Sequence, residues 1–410
     1  MNIPACLDLL ENNYIAYHKS IVYLLNMSRV IYLDNNSTTQ LDKRALDAMM
    51  PFLTENYANA ASSHVFGNVS QQAVEGARAK IAELIGANPN EIVFTSGASE
   101  AINLAIKGVA ESYGSKGKHI ITISTEHPAV LDTCKNLEGK GFEVTYLPVN
   151  TDGLIDIGVL KDALRNDTIL VSVMFVNNET GVIQPMQEIS ELIHPMGVLL
   201  MTDGTQAMGK LLFNVQDLDI DLMSFSAHKF YGPKGIGGLF IREKSPKIKL
   251  PAFIHGGGHE NGIRSGTLNV AGIVGMGKAA EIANNEMLAD IDRVSQLRDY
   301  LEKELLKIKN TSLNGNAVKR LYNVTNICFK GIDANTLIGS LRNIAVSNGS
   351  ACTSRLVEAS HVLLAMGLNE QDAFSSIRFS LGRFNTKEEI DTVVEEIKIL
   401  LQKNHSALTI

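Results

Sequence analysis

The sequence predicts an α/β protein with a mostly parallel sheet, followed by a smaller α+β domain. Short apolar runs with strand spacing alternate with helical patterns between residues 91 and 202. Such alternation is typical of βαβ units, which form parallel sheets with helices on both faces. Another apolar run ends in Ser226-Ala-His228-Lys229 and is followed at once by a glycine-rich turn. From about residue 275 the pattern changes, which indicates the second domain.

The elements of the first part follow one another in order. A short strand is predicted at residues 30–33, and the polar stretch at 34–39 is typical of a turn. Helical spacing occurs at 41–53 and at about 70–85. The alternating units that follow have strands at 91–95, 119–124, 143–147, 168–176 and 198–202, and helices at 100–110, 129–140, 157–164 and 187–194.

The second part begins with a long, charged, amphipathic helix, predicted from residue 279 to about 309. The elements after it are β segments at 322–329 and 344–347 and helices near 334–342, 357–364 and 387–401. We interpret residues 39–285 as a large domain, and residues 29–38 with 286–410 as a small domain that carries Cys352. Residues 1–28 are an N-terminal extension of unclear role, and we expect Met27 to be the natural start.

Composition is that of an ordinary soluble globular protein, with 45% hydrophobic and 20% charged residues and a net charge of -7. Basic residues are scattered rather than arranged in a stripe, so we expect no direct binding of nucleic acid. No apolar run reaches transmembrane length, and no signal-peptide pattern occurs at the N-terminus. Four cysteines in 410 residues do not form a disulfide framework. These features favour a cytoplasmic protein that does not associate with membranes.

Lys229 is the first candidate functional residue. It follows a predicted buried strand, and the carboxyl edge of a parallel sheet is where α/β enzymes place their chemistry. A lysine among polar groups at that edge can form a Schiff base with a carbonyl cofactor, of which pyridoxal 5'-phosphate is the usual example. An arbitrary lysine after a strand is more often a solvated surface residue. The other polar strand ends distinguish Lys229 from that case.

Pyridoxal phosphate makes three demands that this sequence meets. Lys229 can bind the aldehyde, and Asp203 at a strand end can oppose the charge of the ring nitrogen. The phosphate needs donors, which the amides at the start of the helix near Ala98 and Ser99 can provide together with Ser226 and His228. The strand ends at residues 126–128, 177–181 and 203–206 should converge on the same crevice.

Eight motifs in order resemble a cysteine desulfurase of the housekeeping iron–sulfur assembly type, within the class V aminotransferase-like group of fold-type I pyridoxal enzymes. The resemblance runs from about residue 30 to the C-terminus. Its motifs are Thr95-Ser-Gly-Ala-Ser99-Glu, Thr125-Glu-His127, Val176-Asn-Asn178-Glu-x-Gly181, Asp203-x-Thr-Gln206, Ser226-Ala-His228-Lys229-x-Tyr-Gly-Pro-Lys-Gly, His255-Gly-Gly-Gly-His-Glu, Arg264-Ser-Gly-Thr267 and Gly349-Ser-Ala-Cys352-Thr-Ser.

The resemblance implies a role for each matching residue. Lys229 would hold the cofactor and move the Cα proton of the substrate, while His127 would stack on the pyridine ring and assist proton transfer. Asp203 would pair with the ring nitrogen, and Gln206 with the phenolic oxygen. The phosphate would be bound by Ser99, Ser226 and His228, with Thr267 from the second subunit of a homodimer. The carboxylate of L-cysteine would be bound by Asn178 and Arg378.

The resemblance also implies that Cys352 takes sulfur from the substrate as a persulfide and passes it to an acceptor protein. Its neighbours agree, because Asn348-Gly-Ser-Ala-Cys352-Thr-Ser is a loop of small residues and Arg355 could favour the thiolate. Cys134 and Cys328 lie in patterns typical of inert buried cysteines. His255 and His259 have metal-like spacing, but the three glycines between them favour a loop over a zinc site.

Small departures from the family pattern occur next to the site. Gly204 stands where alanine is common, Ala227 where glycine is common, and Asn348 where serine is common. Because the family pattern also differs at Arg355-Leu-Val, the destination of the sulfur stays open: iron–sulfur scaffolds, tRNA thiolation and DNA phosphorothioation are the alternatives. Two alternatives remain at this point: a selenocysteine lyase or class V aminotransferase, and an inactive scaffold that binds sulfur-assembly partners.

Overall fold

The structure is a computed structural model and describes residues 30–349 and 358–407. The N-terminal extension, Met27, Cys352 and Arg355 lie outside the described residues. The α/β class with a mostly parallel central sheet is confirmed. No helix in the described part is both long and apolar enough to cross a membrane.

The described residues contain twelve strands. They are β1 Ile31–Tyr32, β2 Ile92–Thr95, β3 His119–Ile123, β4 Glu143–Leu147, β5 Thr168–Ser172, β6 Leu199–Asp203, β7 Leu222–Ser226, β8 Gly237–Ile241, β9 Thr311–Leu313, β10 Val324–Phe329, β11 Ile344–Ala345 and β12 Ser376–Ser380. The central sheet has the order β2-β8-β7-β6-β5-β3-β4, and of these seven described strands β8 runs opposite to the other six. The carboxyl ends of β3, β5, β6 and β7 therefore lie at one edge.

The α-helices of the described ranges are α1 Lys43–Thr54, α2 Val65–Ile85, α3 Ala98–Tyr113, α4 Pro128–Glu138, α5 Ile157–Ala163, α6 Met186–Ile193, α7 Val270–Leu305, α8 Ala334–Ser340, α9 His361–Ala365, α10 Glu370–Phe374 and α11 Lys387–Ala407. Most bounds agree with the sequence prediction to within a few residues. Strands β9 and β12 and helix α10 were not predicted.

Both faces of the central sheet are buried. Ile120 of β3 packs in the apolar layer under α3 and α4, while the next residue, Ile121, packs in the layer under α2, α6 and the first half of α7. Adjacent residues of a strand point to opposite faces, so a sheet covered on both sides requires a continuous apolar run. The strand sequences of β3, β5 and β7 have that character.

A second apolar core is formed by the strands β10 and β12 with the second half of α7, α8 and α11. Leu33, directly after β1, belongs to this core, because β1 pairs with β11 in parallel. Helix α7 contributes to both cores, and it begins nine residues before the sequence prediction. Its first turns contain glycines, which have low helix propensity. Gly277 permits close packing on α2, since a Cβ there would lie 2.5 Å from that of Ala77.

Candidate active site

A cavity of about 570 Å3 lies at the carboxyl edge of the central sheet. The predicted site residues that line it are Ala98, Ser99, His127, Asn178, Asp203, Gln206, Ser226, His228, Lys229 and Arg378. Asp203 and Ser226 are the last residues of β6 and β7, and Ala98 is the first residue of α3. The topology thus brings together side chains that are up to 280 positions apart in sequence, as the strand-end argument predicted.

Lys229 projects into this cavity from a short 3-10 turn that follows β7. Its Nζ donates hydrogen bonds to the carbonyl oxygens of Asn36 and Ser37, both at 2.7 Å. Burial lowers the pKa of the Lys229 amine to about 8, and the positive charge of Arg378 acts in the same direction. A substantial fraction of this amine is therefore neutral and nucleophilic near neutral pH.

Asp203 faces the cavity from the end of β6, and His127 faces it from the loop after β3, two strands away in the sheet. The Asp203 carboxylate is 6% exposed and accepts hydrogen bonds from the Thr205 amide at 2.9 Å and the Ser224 hydroxyl at 3.2 Å. His127 caps α4, because its Nδ1 accepts a hydrogen bond from the Ala129 amide at 3.1 Å. Burial lowers the pKa of His127, which favours the neutral ring with its proton on Nε2. The cavity thus combines a hydrogen-bonded carboxylate with a neutral imidazole.

The start of α3 forms an anion-binding corner of the cavity. Within the described chain, no side chain caps this helix, so its first amides at Ala98 and Ser99 are available to a ligand. Ser226 and His228 line the same cavity. Burial and the nearby Lys229 lower the pKa of His228 to about 4, so this imidazole is neutral at ordinary pH. Amides, hydroxyls and a neutral imidazole at a helix start suit a phosphate.

Arg378 of β12 brings a guanidinium into the lining of the same cavity. It is 3% exposed, and its Nη1 donates to the Asn178 carbonyl oxygen at 2.9 Å. Its Nη2 donates to the Asp34 carboxylate and to the Ser37 hydroxyl, both at 2.7 Å. Among the described residues, Nε of Arg378 is buried without a hydrogen-bond partner. A ligand carboxylate would satisfy that donor.

The loop at residues 34–37 is a part of the site that sequence reasoning treated as a turn. Asn36 and Ser37 line the cavity and accept hydrogen bonds from Lys229. The signal that could have identified this loop is its position directly after β1, where a run of polar side chains follows a strand. The pairing of β1 with β11 places the loop beside residues 340 positions later.

The donor set fits a cofactor that carries an aldehyde, a protonated ring nitrogen and a phosphate. Lys229 is a neutral amine in part, Asp203 is a charged acceptor, and the uncapped start of α3 provides amides. The Thr205 hydroxyl, which lines the cavity, is also buried without a partner in the described ranges. Buried polar atoms are normally satisfied, so this hydroxyl indicates a ligand in the cavity.

Among the described residues, Thr267 is the predicted site residue that is not part of this cavity. It is exposed and does not line it. Cys352 lies outside the described residues, and Ser347 and Gly349, which precede it in the sequence, line the cavity. The residue that the resemblance assigned to a second subunit therefore lies apart from the cavity of this chain.

The aminotransferase class-V family model matches residues 31–393 of the chain. A cysteine desulfurase IscS of Pectobacterium carotovorum subsp. carotovorum is 54% identical over 375 residues, which cover 91% of this chain and 93% of that protein. A solved NifS-like protein superposes with a TM-score of 0.85 at 38% identity and covers 91% of this chain and 99% of its own. A structure of SspA in complex with cysteine has a TM-score of 0.77 at 37% identity, with coverages of 87% and 100%.

Proposed function

The chain belongs to the aminotransferase class-V family and is an enzyme of the cysteine desulfurase type, and from this premise we propose that it converts L-cysteine to L-alanine with pyridoxal phosphate. The observation that carries the proposal is the placement of the Lys229 amine, the Asp203 carboxylate and the Arg378 guanidinium around one cavity. Those three groups match the aldehyde and ring nitrogen of the cofactor and the carboxylate of an amino acid.

The cofactor contacts follow from this placement. Lys229 would bind the aldehyde, Asp203 would keep the ring nitrogen protonated, and Gln206 would bond the phenolic oxygen. The uncapped amides at Ala98 and Ser99, with Ser226 and His228, would hold the phosphate. Bound in this way, pyridoxal phosphate supplies an electron sink for the electron pair released at the substrate Cα.

The substrate contacts are assigned to other residues that line the cavity. The planar guanidinium of Arg378 can bond both oxygens of the cysteine carboxylate, and its unpartnered Nε provides one of those donors. Asn178 lines the cavity beside it. Lys229, once freed from the aldehyde, would take the Cα proton, and His127 would assist proton transfer through Nε2.

Cys352 is proposed as the sulfur acceptor on the enzyme. Its thiolate would form a bond to the substrate sulfur while the bond from that sulfur to Cβ breaks. The electron pair of the broken bond would stay with the carbon, which takes up a proton and yields alanine, and the sulfur would remain on Cys352 as a persulfide. This step is proposed from the sequence motif Gly349-Ser-Ala-Cys352-Thr-Ser, because Cys352 lies outside the described part of the chain.

We further propose a cytoplasmic homodimer, in which Thr267 completes the phosphate site of the other subunit, and a large and a small domain built on the two apolar cores. The exposed position of Thr267 supports the dimer, as does a group of exposed apolar side chains on α1, α2 and the loop between them, namely Leu53, Tyr57, Val65 and Phe66. Such a group favours burial against a partner. An iron–sulfur scaffold or another sulfur-acceptor protein would then receive the persulfide sulfur.

The purified protein, given L-cysteine and a thiol reductant, tests the proposal. We expect a visible band at about 420 nm from the lysine-bound cofactor, and sulfide and alanine in equal amounts. Cys352→Ala should keep the band and lose persulfide and sulfide formation, while Cys328→Ala, at a buried cysteine beside the Asp372 carbonyl, should keep both. A band without sulfide would move the substrate to another amino acid, and a protein with no band would refute the role of Lys229.

A further inference from the structure

Lys210 is a buried lysine behind the cavity that the proposed reaction does not use. It lies in the turn after β6, is 3% exposed, and is not among the residues that line the cavity. Its Nζ donates to Oε1 of Gln206 at 2.7 Å and lies 3.5 Å from Oδ1 of Asn36. Lysine is rarely buried unless it is paired with a carboxylate, and here its recorded partners are amide oxygens.

The surroundings of this amine favour its neutral form. Burial lowers the pKa of Lys210 well below its usual value, and the positive charges of Lys229 and Arg378 act in the same direction. A neutral amine has two N–H donors, and the two amide oxygens of Gln206 and Asn36 match that number. Lys210 therefore serves as a hydrogen-bond donor at this position rather than as a charge.

Gln206 connects Lys210 to the cavity. Its Oε1 accepts from Lys210, and its Nε2 donates to the Asn36 carbonyl oxygen at 2.8 Å. A flipped amide would place Oε1 against that carbonyl oxygen, acceptor against acceptor, and would remove the acceptor to which Lys210 donates at 2.7 Å. The Asn36 carbonyl oxygen thus disfavours the flipped amide and the Lys210 donor stabilises the observed one, which leaves the second Nε2 hydrogen for the cavity that Gln206 lines.

We propose that Lys210 is a positioning residue that holds the Gln206 amide with its donor, and not its acceptor, turned toward the cofactor. The inference rests on the proposed function, because the group that Gln206 meets is the phenolic oxygen of pyridoxal phosphate. A donor at this place stabilises the negatively charged form of that oxygen. The proton shared between the oxygen and the Lys229 nitrogen is then released at a lower pH than it would be without the donor.

The test is a pH titration of the visible absorption band in the cofactor-loaded protein without substrate. Lys210→Met removes the donor and should raise the midpoint by about one pH unit, the size expected when one hydrogen bond to a charged oxygen is lost. Lys210→Gln has nearly the same length as Lys210→Met but retains an N–H donor, and it should stay close to the wild-type midpoint.

A double-mutant cycle separates positioning from a general structural effect. Gln206→Leu alone should raise the midpoint as Lys210→Met does, and adding Lys210→Met to Gln206→Leu should raise it no further. Equal shifts by Lys210→Met in both backgrounds, or no shift in either, would overturn the inference. If Lys210→Met does not accumulate as folded protein, the test uses Lys210→Gln. A midpoint shift in Lys210→Gln as large as that in Gln206→Leu would contradict the role of the donor.

The outcome for the wild-type protein separates this inference from the proposed function. If the wild-type band titrates but the Lys210 variants have the same midpoint as the wild type, the inference is wrong and the cofactor assignment stands. A wild-type protein without a band would contradict both the proposed function and the inference, since Gln206 would then have no phenolic oxygen to bond.

Discussion

Arg378 and Asp34 form an ion pair of 2.7 Å between Nη2 and Oδ1 that joins the second core to the loop after β1 at the edge of the active-site cavity. The arginine side chain is 4% exposed and the aspartate side chain 20%. Both charges act on Lys229 in opposite directions: Arg378 lowers the pKa of its amine and Asp34 raises it. Burial is the largest cause of the lowered pKa, and the two charges of the ion pair adjust how much of the Lys229 amine is neutral.

The uptake of pyridoxal phosphate by the cofactor-free protein should follow this balance. The rate of band formation should rise with pH through about 8, where the Lys229 amine loses its proton. Asp34→Asn removes a negative charge that raises the pKa of Lys229, so the midpoint should move to lower pH. Arg378→Met removes a positive charge that lowers this pKa, so the midpoint should move to higher pH. Midpoint shifts in the same direction for both variants would rule out this account. The control Lys43→Met, at an exposed lysine, should leave the midpoint unchanged.

Arg378→Lys tests the carboxylate site separately from the cofactor site. A lysine keeps the charge but loses the planar fork that binds two oxygens at once. We expect the KM for cysteine to rise at least about tenfold, the size of one lost charge-assisted hydrogen bond, while the visible band is retained. Arg44→Lys, at an arginine with 47% exposure that also pairs with carboxylates, serves as the matched control and should leave KM unchanged. An unchanged KM for Arg378→Lys would contradict the assignment.

The sequence predicted the parts of the site that depend on local pattern. Asp203 ends a strand and His127 and Lys229 each follow one, and the carboxyl ends of strands in a parallel sheet must meet. The roles of these residues stay predictions, as do those of Thr267, which does not line the cavity, and of Cys352, which lies outside the described residues. The resemblance supplied Arg378, but its strand, β12, was not predicted, since Ser376, Arg378 and Ser380 interrupt the apolar pattern that marks a buried strand.

What the sequence could not predict are contacts between distant segments. Asn36 accepts from Lys229 and Gln206 only because β1 pairs with β11 and places its loop over strands about 170 to 190 positions later. The burial of Lys210 is likewise a tertiary property. Gly204 departs from the family pattern for a reason that also appears only in three dimensions, because a Cβ there would lie 2.6 Å from the Met223 side chain.

Glu179 should make the stability of the protein depend on pH. Its carboxyl is 2% exposed, accepts from the Ser360 hydroxyl at 2.6 Å, and has a pKa raised by burial to about 7. A folded-state pKa above the unfolded value means that the stabilising contribution is complete below about 4.5 and is lost as pH rises through about 7. The free energy of unfolding should fall on the order of 3 kcal/mol over that range.

Glu179→Gln keeps the shape and the acceptor for Ser360 but cannot ionise. Urea unfolding of the variant at pH 5.0 to about 8.5 should show a smaller decline than the wild type. Glu188→Gln, at an exposed position on α6, should decline as the wild type does. The same slope in Glu179→Gln and the wild type would show that this carboxyl does not control the pH dependence.

We expect substitution of Arg383 to cost much stability, because its guanidinium joins the buried Asp42 carboxylate to the partly buried Asp290 carboxylate. The side chain of Arg383 is 6% exposed, pairs with Asp42 at 3.1 Å and Asp290 at 3.0 Å, and lies 4.1 Å over the ring of Tyr231. Arg383→Met removes this partner from Asp290 and leaves Asp42 with Arg44, which should lower the free energy of unfolding by about 3 kcal/mol, the low end for breaking a buried ion pair. Lys43→Met removes an exposed ion pair with Asp47 and should cost below about 0.5 kcal/mol. Equal midpoints of urea unfolding for the two variants would show that the Arg383 ion pairs contribute no more to the free energy of unfolding than the exposed pair of Lys43 does.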